Sequence, residues 1–215
     1  MNKNEKKKKL LLTGFGPFNG LSENASEGLV QELSDLNFAN IDLFTHVFEC
    51  NSKNLKNDAQ KVVKRYDPDV IISLGVAMKR EHFSVERVAI NVLDFRISDV
   101  VGNQPRGERI LPSMPDGIFS NLPIHAVTKR LREFDPGSYI SNSAGTFLCN
   151  QLMFLNLSHA KEIKSGFIHI PPFTCISKNV QVKALLSLIS LFSSLQNLQS
   201  LQSDDPLLID SGTEE

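Results

Sequence analysis

Apolar and polar positions in the first part of the chain alternate between short apolar runs and stretches with helical spacing. The segments 9–13, 41–48 and 70–74 have the composition of strands, and the first and third are apolar enough to be buried. Between them, residues 25–33 and 53–66 repeat apolar side chains every three or four positions, as amphipathic helices do. Because short connections join these segments, the pattern predicts a β-α-β-α-β unit with at least partly parallel pairing and right-handed crossovers.

The rest of the chain continues with the same kinds of segment. Residues 83–88 alternate like a strand or ribbon, whereas 98–116 is rich in Gly, Pro, Asn and Asp and is predicted to be mostly loop. Loops of that length inside a compact domain are often functional. The later predicted helices and strands are helices 122–134, 146–158 and 178–199 and strands 139–141 and 166–170. The whole pattern predicts an α/β protein with a single-domain three-layer α/β/α sandwich around a mixed, largely parallel sheet.

Charge is concentrated at the two ends of the chain. Residues 1–9 carry a net charge of +4 and residues 204–215 carry −5, so the segment between them is neutral and the total is −1. A neutral body lacks the broad basic face of nucleic-acid-binding proteins. We therefore expect a basic disordered tail over 1–8, a folded domain over 9–200 and an acidic disordered tail over 201–215. A basic targeting tag or a weak contact with anionic lipid is the alternative for the first tail.

Three cysteines, Cys50, Cys149 and Cys175, are the second compositional signal. They form no CxxC pair, and the chain has no HxxxH pair, so no metal site is predicted. An odd, small number of cysteines without a secretory leader favours a reducing, cytoplasmic location over a disulfide framework. No run of about 18 apolar residues occurs, so no membrane span is expected.

Two predicted strand-to-helix turns contain unusual residues, and the first is TGFGPFNG at 13–20. It follows the first strand, at the sheet edge where open α/β proteins bind ligands. Its glycines match neither a dinucleotide fingerprint nor a nucleotide-phosphate loop. Phe15 and Phe18 either anchor this turn in the core or form an apolar slot for a small ligand.

The second turn, at 141–150, leads through small residues into a helix with Cys149 in about its first turn. Free N–H groups and the helix dipole there favour a thiolate and can hold an oxyanion, although a buried structural cysteine is the alternative. A nucleophilic cysteine needs a base, often oriented by an acid. His169 and Glu86 are candidates, with a structural histidine and a buried Glu86–Arg87 pair as the alternatives.

Together these segments resemble the pyroglutamyl-peptidase I (pyrrolidone-carboxylate peptidase) family of cysteine peptidases. The matching stretches follow the family's order over about residues 9–175, and as a set they are highly specific. They are LLTGFGPFNG (11–20), SVERVAIN (84–91), DxRI (94–97), GNQP (102–105), FSNLPI (119–124), SNSAGTFLCN (141–150) and SGFIHIP (165–171).

The resemblance implies a nucleophile at Cys149, a base at His169 and an orienting acid at Glu86. It implies that Arg96 lies near the oxyanion site, beside the Cys149 backbone N–H. The implied substrate-binding residues are Phe15, Phe18, Asn24, Ile97, Phe147 and Leu148. The implied reaction removes N-terminal pyroglutamate (5-oxoproline) from small peptides through a thioacyl-enzyme, without metal or cofactor. The implied assembly is a monomer or homo-oligomer, with no nucleic-acid or membrane partner.

The chain departs from the family pattern at three places. The family's Gly-Gln-Ala-Gly-Gly-Arg is replaced by GVAMKR at 75–80, which puts Val76 where the family has Gln. Its Pro-Tyr-x-Pro-Glu-Gln is replaced by PPFTCI at 171–176, and its Leu-Pro-Val is missing from 47–52. Two alternatives therefore stay open: a non-catalytic homologue that binds a small cyclic acyl group, and a thiol hydrolase with a shifted substrate.

Overall fold

Five helices and eight strands make up the described part of the chain. The structure, a computed structural model, describes residues 7–18, 20, 23–159 and 163–194. The helices are α1 (Ala25–Ser34), α2 (Ser52–Tyr66), α3 (Ile124–Arg132), α4 (Leu148–His159) and α5 (Lys178–Ser194). The strands are β1 (Lys8–Phe15), β2 (Ile41–Phe48), β3 (Val70–Val76), β4 (Ser84–Glu86), β5 (Val88–Ile90), β6 (Gly117–Phe119), β7 (Tyr139–Ser141) and β8 (Lys164–Ile170).

Six of the strands form one mixed sheet in the order β2-β1-β3-β8-β4-β7. β1 pairs in parallel with both β2 and β3, so the predicted β-α-β-α-β opening is confirmed. β3 and β8 are also parallel, and the one reversal in direction is the antiparallel pair β8–β4, beyond which β7 runs parallel to β4. The carboxyl ends of β1, β3 and β8 therefore lie at one edge of the sheet. That edge is where ligand sites of open α/β proteins are found.

Helices cover both faces of this sheet, so the predicted three-layer sandwich is confirmed. α1, α3 and α5 pack on one face against Leu10, Leu12 and Ile168, whereas α2 and α4 pack on the other face against Leu11 and Phe167. This alternation follows from the strand period of two, which sends neighbouring side chains to opposite faces. Of the helices described, none combines the length and apolar content needed to cross a membrane.

Most predicted elements occur in the structure, and the segment 98–116 is mostly loop as predicted. Helices α3 and α4 each begin two residues later than predicted, and the strand or ribbon predicted over 83–88 is divided between β4 and β5. The strand β6 was not predicted, and it pairs with β5 as a separate antiparallel ribbon. Three residues directly after a long loop are too few to establish an alternating pattern. The predicted tails, apart from Lys7 and Lys8, and the end of the last predicted helix lie outside the described residues, so the domain boundaries stay predictions.

Candidate active site

His169 and Glu86 meet where β8 lies against β4. The antiparallel register pairs Ser84 with His169, and Glu86 lies two residues further along β4 on the same face. His169 Nδ1 lies 2.7 Å from Glu86 Oε1, and both residues are buried. A proton on Nδ1 donates to the carboxylate and leaves Nε2 as the accepting nitrogen of a neutral imidazole. The strand register therefore joins a carboxylate to a histidine that lies 83 positions away in sequence.

Arg80 is the cationic partner of Glu86. Its Nη1 donates to Glu86 Oε1 at 2.5 Å and to Ser84 Oγ at 2.6 Å, while its Nη2 donates to the Ser143 carbonyl at 3.0 Å. The alternative of a Glu86–Arg87 pair is wrong, because the fully buried carboxylate takes its cation from the loop after β3. Such a carboxylate needs a charge partner, and here that partner also holds the loop that leads to Cys149.

Cys149 lies over the sheet at Gly75, the residue paired with His169. It is the second residue of α4, so its predicted position in the first helical turn is confirmed. The parallel register pairs Gly75 with His169, which directs both positions to the same face. A Cβ atom on Gly75 would lie 2.9 Å from Cys149 Sγ and 2.8 Å from Phe167 Cζ. Glycine at position 75 therefore leaves the space that the sulfur occupies beside the histidine strand.

Side chains hold the start of α4 in a fixed direction. Asn150 Oδ1 accepts the backbone N–H of Ile90 at 2.8 Å, and its Nδ2 donates to the carbonyls of Ile90 and Val92. The backbone N–H groups of Leu148 and Asn150 donate to no acceptor among the described residues. Unfilled donors at a helix N-terminus are suited to an anion or to a developing oxyanion.

In the free protein at neutral pH, the Cys149 side chain is mainly in its protonated, thiol form. Burial raises the pKa of this thiol to about 12, and the neighbouring Cys50 and Glu86 act in the same direction. The backbone N–H of Cys149 and the Arg80 guanidinium act in the opposite direction but are outweighed. The helix start acts in the predicted direction, but desolvation exceeds its effect in the free protein. Attack by this sulfur requires a proton acceptor.

The aromatic residues named by the sequence divide into two environments. The rings of Phe18 and Phe147 are half-buried and lie 5.0 Å apart, centroid to centroid. Phe95, which the sequence analysis did not single out, packs on Phe147 at 4.2 Å. Phe15 and Leu148 are buried in the core between the sheet and helices α2 and α4. Phe18, Phe95 and Phe147 therefore form an aromatic cluster, and one of its members, Phe147, lies two residues before Cys149 in the chain.

The remaining predicted site residues lie in other settings. Asn24 begins α1, where its Oδ1 accepts the Ser26 backbone N–H at 2.9 Å and its Nδ2 donates to the Gly16 carbonyl at 3.0 Å. Arg96 and Ile97 are exposed on the segment after β5. The Arg96 guanidinium makes no ion pair or hydrogen bond within the described ranges, and its place near the oxyanion site stays a prediction. The other cysteines are a buried Cys50 and an exposed Cys175.

Sequence reasoning missed two residues that shape this arrangement, Gly75 and Arg80. Both belong to the segment 75–80, which differs from the pattern Gly-Gln-Ala-Gly-Gly-Arg at Val76, Met78 and Lys79. Agreement at Gly75 and Arg80, the two ends of this partly divergent segment, was the available signal. Neither role could be derived from spacing, because one depends on where Cys149 Sγ packs and the other on which carboxylate the loop reaches.

An open cleft with a volume of about 560 Å³ adjoins the aromatic cluster. The β1–α1 loop, α1, the end of β3 and the β8–α5 loop form its walls. Phe18 lines this cleft and also contacts Phe147, so the two features are continuous. Val76, Met78 and Pro172, all at positions where the chain departs from the family pattern, line it as well, beside Phe173.

Several known proteins with related sequences carry the same function in their names. The sequence profile of the pyroglutamyl peptidase family matches residues 8–196. The pyrrolidone-carboxylate peptidase of Pyrococcus furiosus is 38% identical over 167 residues, which is 76% of this chain and 80% of that protein. That of Vibrio parahaemolyticus is 40% identical over 167 residues, with 76% and 78% covered.

Solved structures show the same relationship. Pyrrolidone carboxyl peptidase from Thermococcus litoralis matches with a TM-score of 0.85 at 31% identity, covering 93% of this chain and 100% of that one. Pyroglutamyl peptidase I from Bacillus amyloliquefaciens matches with a TM-score of 0.81 at 31% identity, covering 88% and 96%. With a family profile that spans nearly the whole described chain, this protein belongs to the pyroglutamyl peptidase family and is a peptidase.

Proposed function

We propose that this protein is a cysteine peptidase that removes an N-terminal pyroglutamyl residue from peptides. Cys149 is the nucleophile, His169 the base and Glu86 the acid that orients the base. One observation carries the proposal: Cys149 Sγ packs over Gly75, the register partner of His169, whose Nδ1 is bonded to Glu86. A nucleophile placed over the register partner of a base that is itself bonded to an orienting acid supports the arrangement that covalent catalysis requires.

The first step forms a thioester on Cys149. His169 accepts the thiol proton at Nε2 while Sγ attacks the carbonyl carbon of the pyroglutamyl residue. Because burial raises the pKa of the thiol, the proton leaves the sulfur only as the new bond forms. The backbone N–H groups at the start of α4 stabilise the oxyanion. Arg96, exposed in the free protein, adds its charge when substrate is bound.

The second half of the cycle releases both products. His169 returns the proton to the amine nitrogen, the C–N bond breaks, and the shortened peptide leaves with a free amine. A water molecule, deprotonated by His169, then attacks the thioester carbonyl. The C–S bond breaks, pyroglutamate is released, and Cys149 regains its proton. The cycle consumes one water molecule and leaves the enzyme unchanged.

The substrate ring is neutral, and its receptor is apolar. A pyroglutamyl group has no free amine, so it presents no charge for pairing, and an apolar wall with a few amide contacts suits it. Phe18 and Phe147 provide that wall, with Ile97 at its exposed side. Phe15 and Leu148 support it from the core, and Asn24 fixes the loop that carries Phe18.

Turnover of a pyroglutamyl-aminomethylcoumarin substrate tests this proposal. The wild-type protein is expected to release the fluorophore, and Cys149→Ser is expected to lower kcat/KM by about 10³-fold or more. Cys50→Ser and Cys175→Ser serve as matched controls and are expected to stay within about twofold of wild type. Failure of the folded wild-type protein, checked by circular dichroism, to release any fluorophore would overturn the proposal.

Trapping the intermediate separates this function from its two alternatives. Rapid acid quenching followed by mass spectrometry is expected to find one pyroglutamyl group on the peptide that contains Cys149. Binding of pyroglutamate without this adduct would identify a non-catalytic homologue, and an adduct with a different acyl group would identify a shifted substrate. We also propose a cytoplasmic location, because three unpaired thiols persist best in a reducing compartment.

A further inference from the structure

The cleft beside the aromatic cluster has no part in the chemistry described above. Its volume of about 560 Å³ is larger than one five-membered lactam ring needs. That volume lies within the range of roughly 300–1,000 Å³ occupied by ligand sites. Phe18 lines the cleft and contacts Phe147, two positions before Cys149. A substrate bound at the aromatic cluster therefore has this cleft as its immediate neighbour.

The apolar part of the lining is partly exposed to solvent. Val76, Met78 and Phe173 line the cleft, and the Met78 side chain is 63% exposed. Large apolar side chains left in water beside a concave surface are typical of ligand contacts. Methionine suits such a surface because its flexible thioether adapts to different partners.

The charged part of the lining is acidic. Glu23 and Glu27 both line the cleft, and neither forms an ion pair within the described part of the chain. Glu27 accepts only a hydrogen bond from Gln31, at 3.3 Å. The cation that lines the cleft, Lys178, is occupied by Glu32 at 2.9 Å. A ligand in the cleft therefore meets two carboxylates whose charges are not balanced by these partners.

We propose that this cleft binds the leaving peptide, the residues that follow the pyroglutamyl group, and selects those with a cationic side chain. The inference rests on the proposed function, since it takes Cys149 as the point where the peptide bond breaks. Phe18 belongs to both the ring-binding cluster and the cleft, so the chain on the far side of the scissile bond can pass into the cleft. Its apolar atoms pack on Met78 and Phe173, and its cation pairs with Glu23 and Glu27.

Two peptides that differ only in charge test the selection. For wild type at low ionic strength, kcat/KM is expected to be about fivefold higher for pyroglutamyl-Leu-Lys-amide than for pyroglutamyl-Leu-Glu-amide, mostly through KM. The preference is expected to shrink with added salt. Replacing both acids, Glu23→Gln with Glu27→Gln, is expected to remove it, whereas Glu133→Gln at the end of α3 is expected to keep it. Equal values in wild type, or a preference that survives the double substitution, would overturn the proposal.

A substrate without a leaving peptide separates failure of this proposal from failure of the proposed function. Turnover of pyroglutamyl-aminomethylcoumarin is expected to be the same in wild type and in the double variant. If nothing is cleaved, the proposed function fails, and binding of the two peptides to Cys149→Ala by fluorescence anisotropy, with a carboxyl-terminal label, still tests the cleft. Tighter binding of the lysine peptide that is lost in the double substitution supports the cleft proposal. Absent or equal binding overturns it.

Discussion

Helices α1 and α4 both begin near the candidate active site, but the backbone N–H groups of their first turns differ in whether they have hydrogen-bond acceptors. At α1, Asn24 accepts the N–H of Ser26, and Ser26 Oγ accepts the N–H of Phe15 from the preceding strand. At α4, the N–H groups of Leu148 and Asn150 reach no acceptor among the described residues. The capping side chain at α1 fixes the start of that helix to the preceding strand. Without a capping side chain, the free N–H groups at the start of α4 are available to bind a negative charge.

Polar side chains do lie near the uncapped N-terminus of α4, which we call its open terminus. Thr146 donates its hydroxyl to the Asp94 carbonyl at 2.7 Å, and Asn150 bonds the backbone of Ile90 and Val92. The polar groups that could cap the helix are thus bonded to the neighbouring 90–94 segment. The comparison teaches that the same strand–turn–helix element is closed or open according to where its nearest polar side chains are directed.

The largest expected effect comes from closing the space beside the open terminus. Gly75→Ala is expected to lower kcat/KM by about 100-fold, because its Cβ would displace Cys149 Sγ, which lies 2.9 Å from that position. Overpacking against Phe167 should also cost about 1–3 kcal/mol of unfolding free energy, measurable by urea denaturation. Gly117→Ala is the control, since its Cβ would lie an ordinary 3.5 Å from the Ala89 carbonyl oxygen. Wild-type activity in Gly75→Ala would contradict this placement of the sulfur.

A smaller effect is expected from the positioning residue Arg80, which joins Glu86 to the loop before α4. Arg80→Lys should lower kcat about 30-fold with little change in KM, because one ammonium cannot reproduce the three contacts of the guanidinium. Steady-state kinetics measure this split. Arg87→Lys is a matched control, since Arg87 is adjacent to Glu86 in sequence and does not bond its carboxylate. An unchanged kcat in Arg80→Lys would refute the positioning role.

The protonation state of Cys149 sharpens the comparison further. Its raised pKa keeps the thiolate scarce at neutral pH, so its alkylation by iodoacetamide should accelerate about tenfold per pH unit between pH 7 and 9. Mass spectrometry of the peptide containing Cys149 measures the rate, and the exposed Cys175 provides an internal reference. A rate that is already constant above pH 7 would mean that the open helix terminus, and not burial, governs this thiol.

The smallest expected effect is on the closed terminus. Asn24→Ala should lower the unfolding free energy by about 1 kcal/mol, as loss of a helix cap does, and should raise KM a fewfold by loosening the loop at Phe18. Asn51→Ala is the matched control, because Asn51 caps α2 in the same way. It should cost the same stability, by thermal denaturation, without the change in KM. No loss of stability in Asn24→Ala would contradict the capping role.

Local pattern predicted the parts of this molecule that depend on local physics. Apolar spacing predicted the parallel opening, and the small residues before Cys149 predicted a helix start there, because both depend on residues close in sequence. The partner of Glu86 could not be predicted in this way. Its neighbour Arg87 was the candidate, but the guanidinium that reaches it belongs to Arg80, in the loop after β3.

Two further properties depend on contacts between distant segments. The pairing of Ser84 with His169 is a register between strands far apart in the chain, and nothing in either strand encodes which residue faces which. The pKa of Cys149 depends on how completely the fold removes the sulfur from water, whereas its sequence context reveals only the helix start. These properties therefore come from the tertiary structure alone.

The reversal of direction at β4 gives the site an unequal tolerance to change. β4 and β8 are hydrogen-bonded neighbours in the sheet. Their backbone pairing therefore fixes the relative positions of His169 and Glu86, whose side chains are hydrogen-bonded to each other. The proposed leaving-peptide cleft, by contrast, takes half of its lining from loops, including Met78 and Phe173. Loop sequence can therefore diverge, and under the proposed function the range of accepted peptides can change with it, while the sheet keeps His169 and Glu86 aligned.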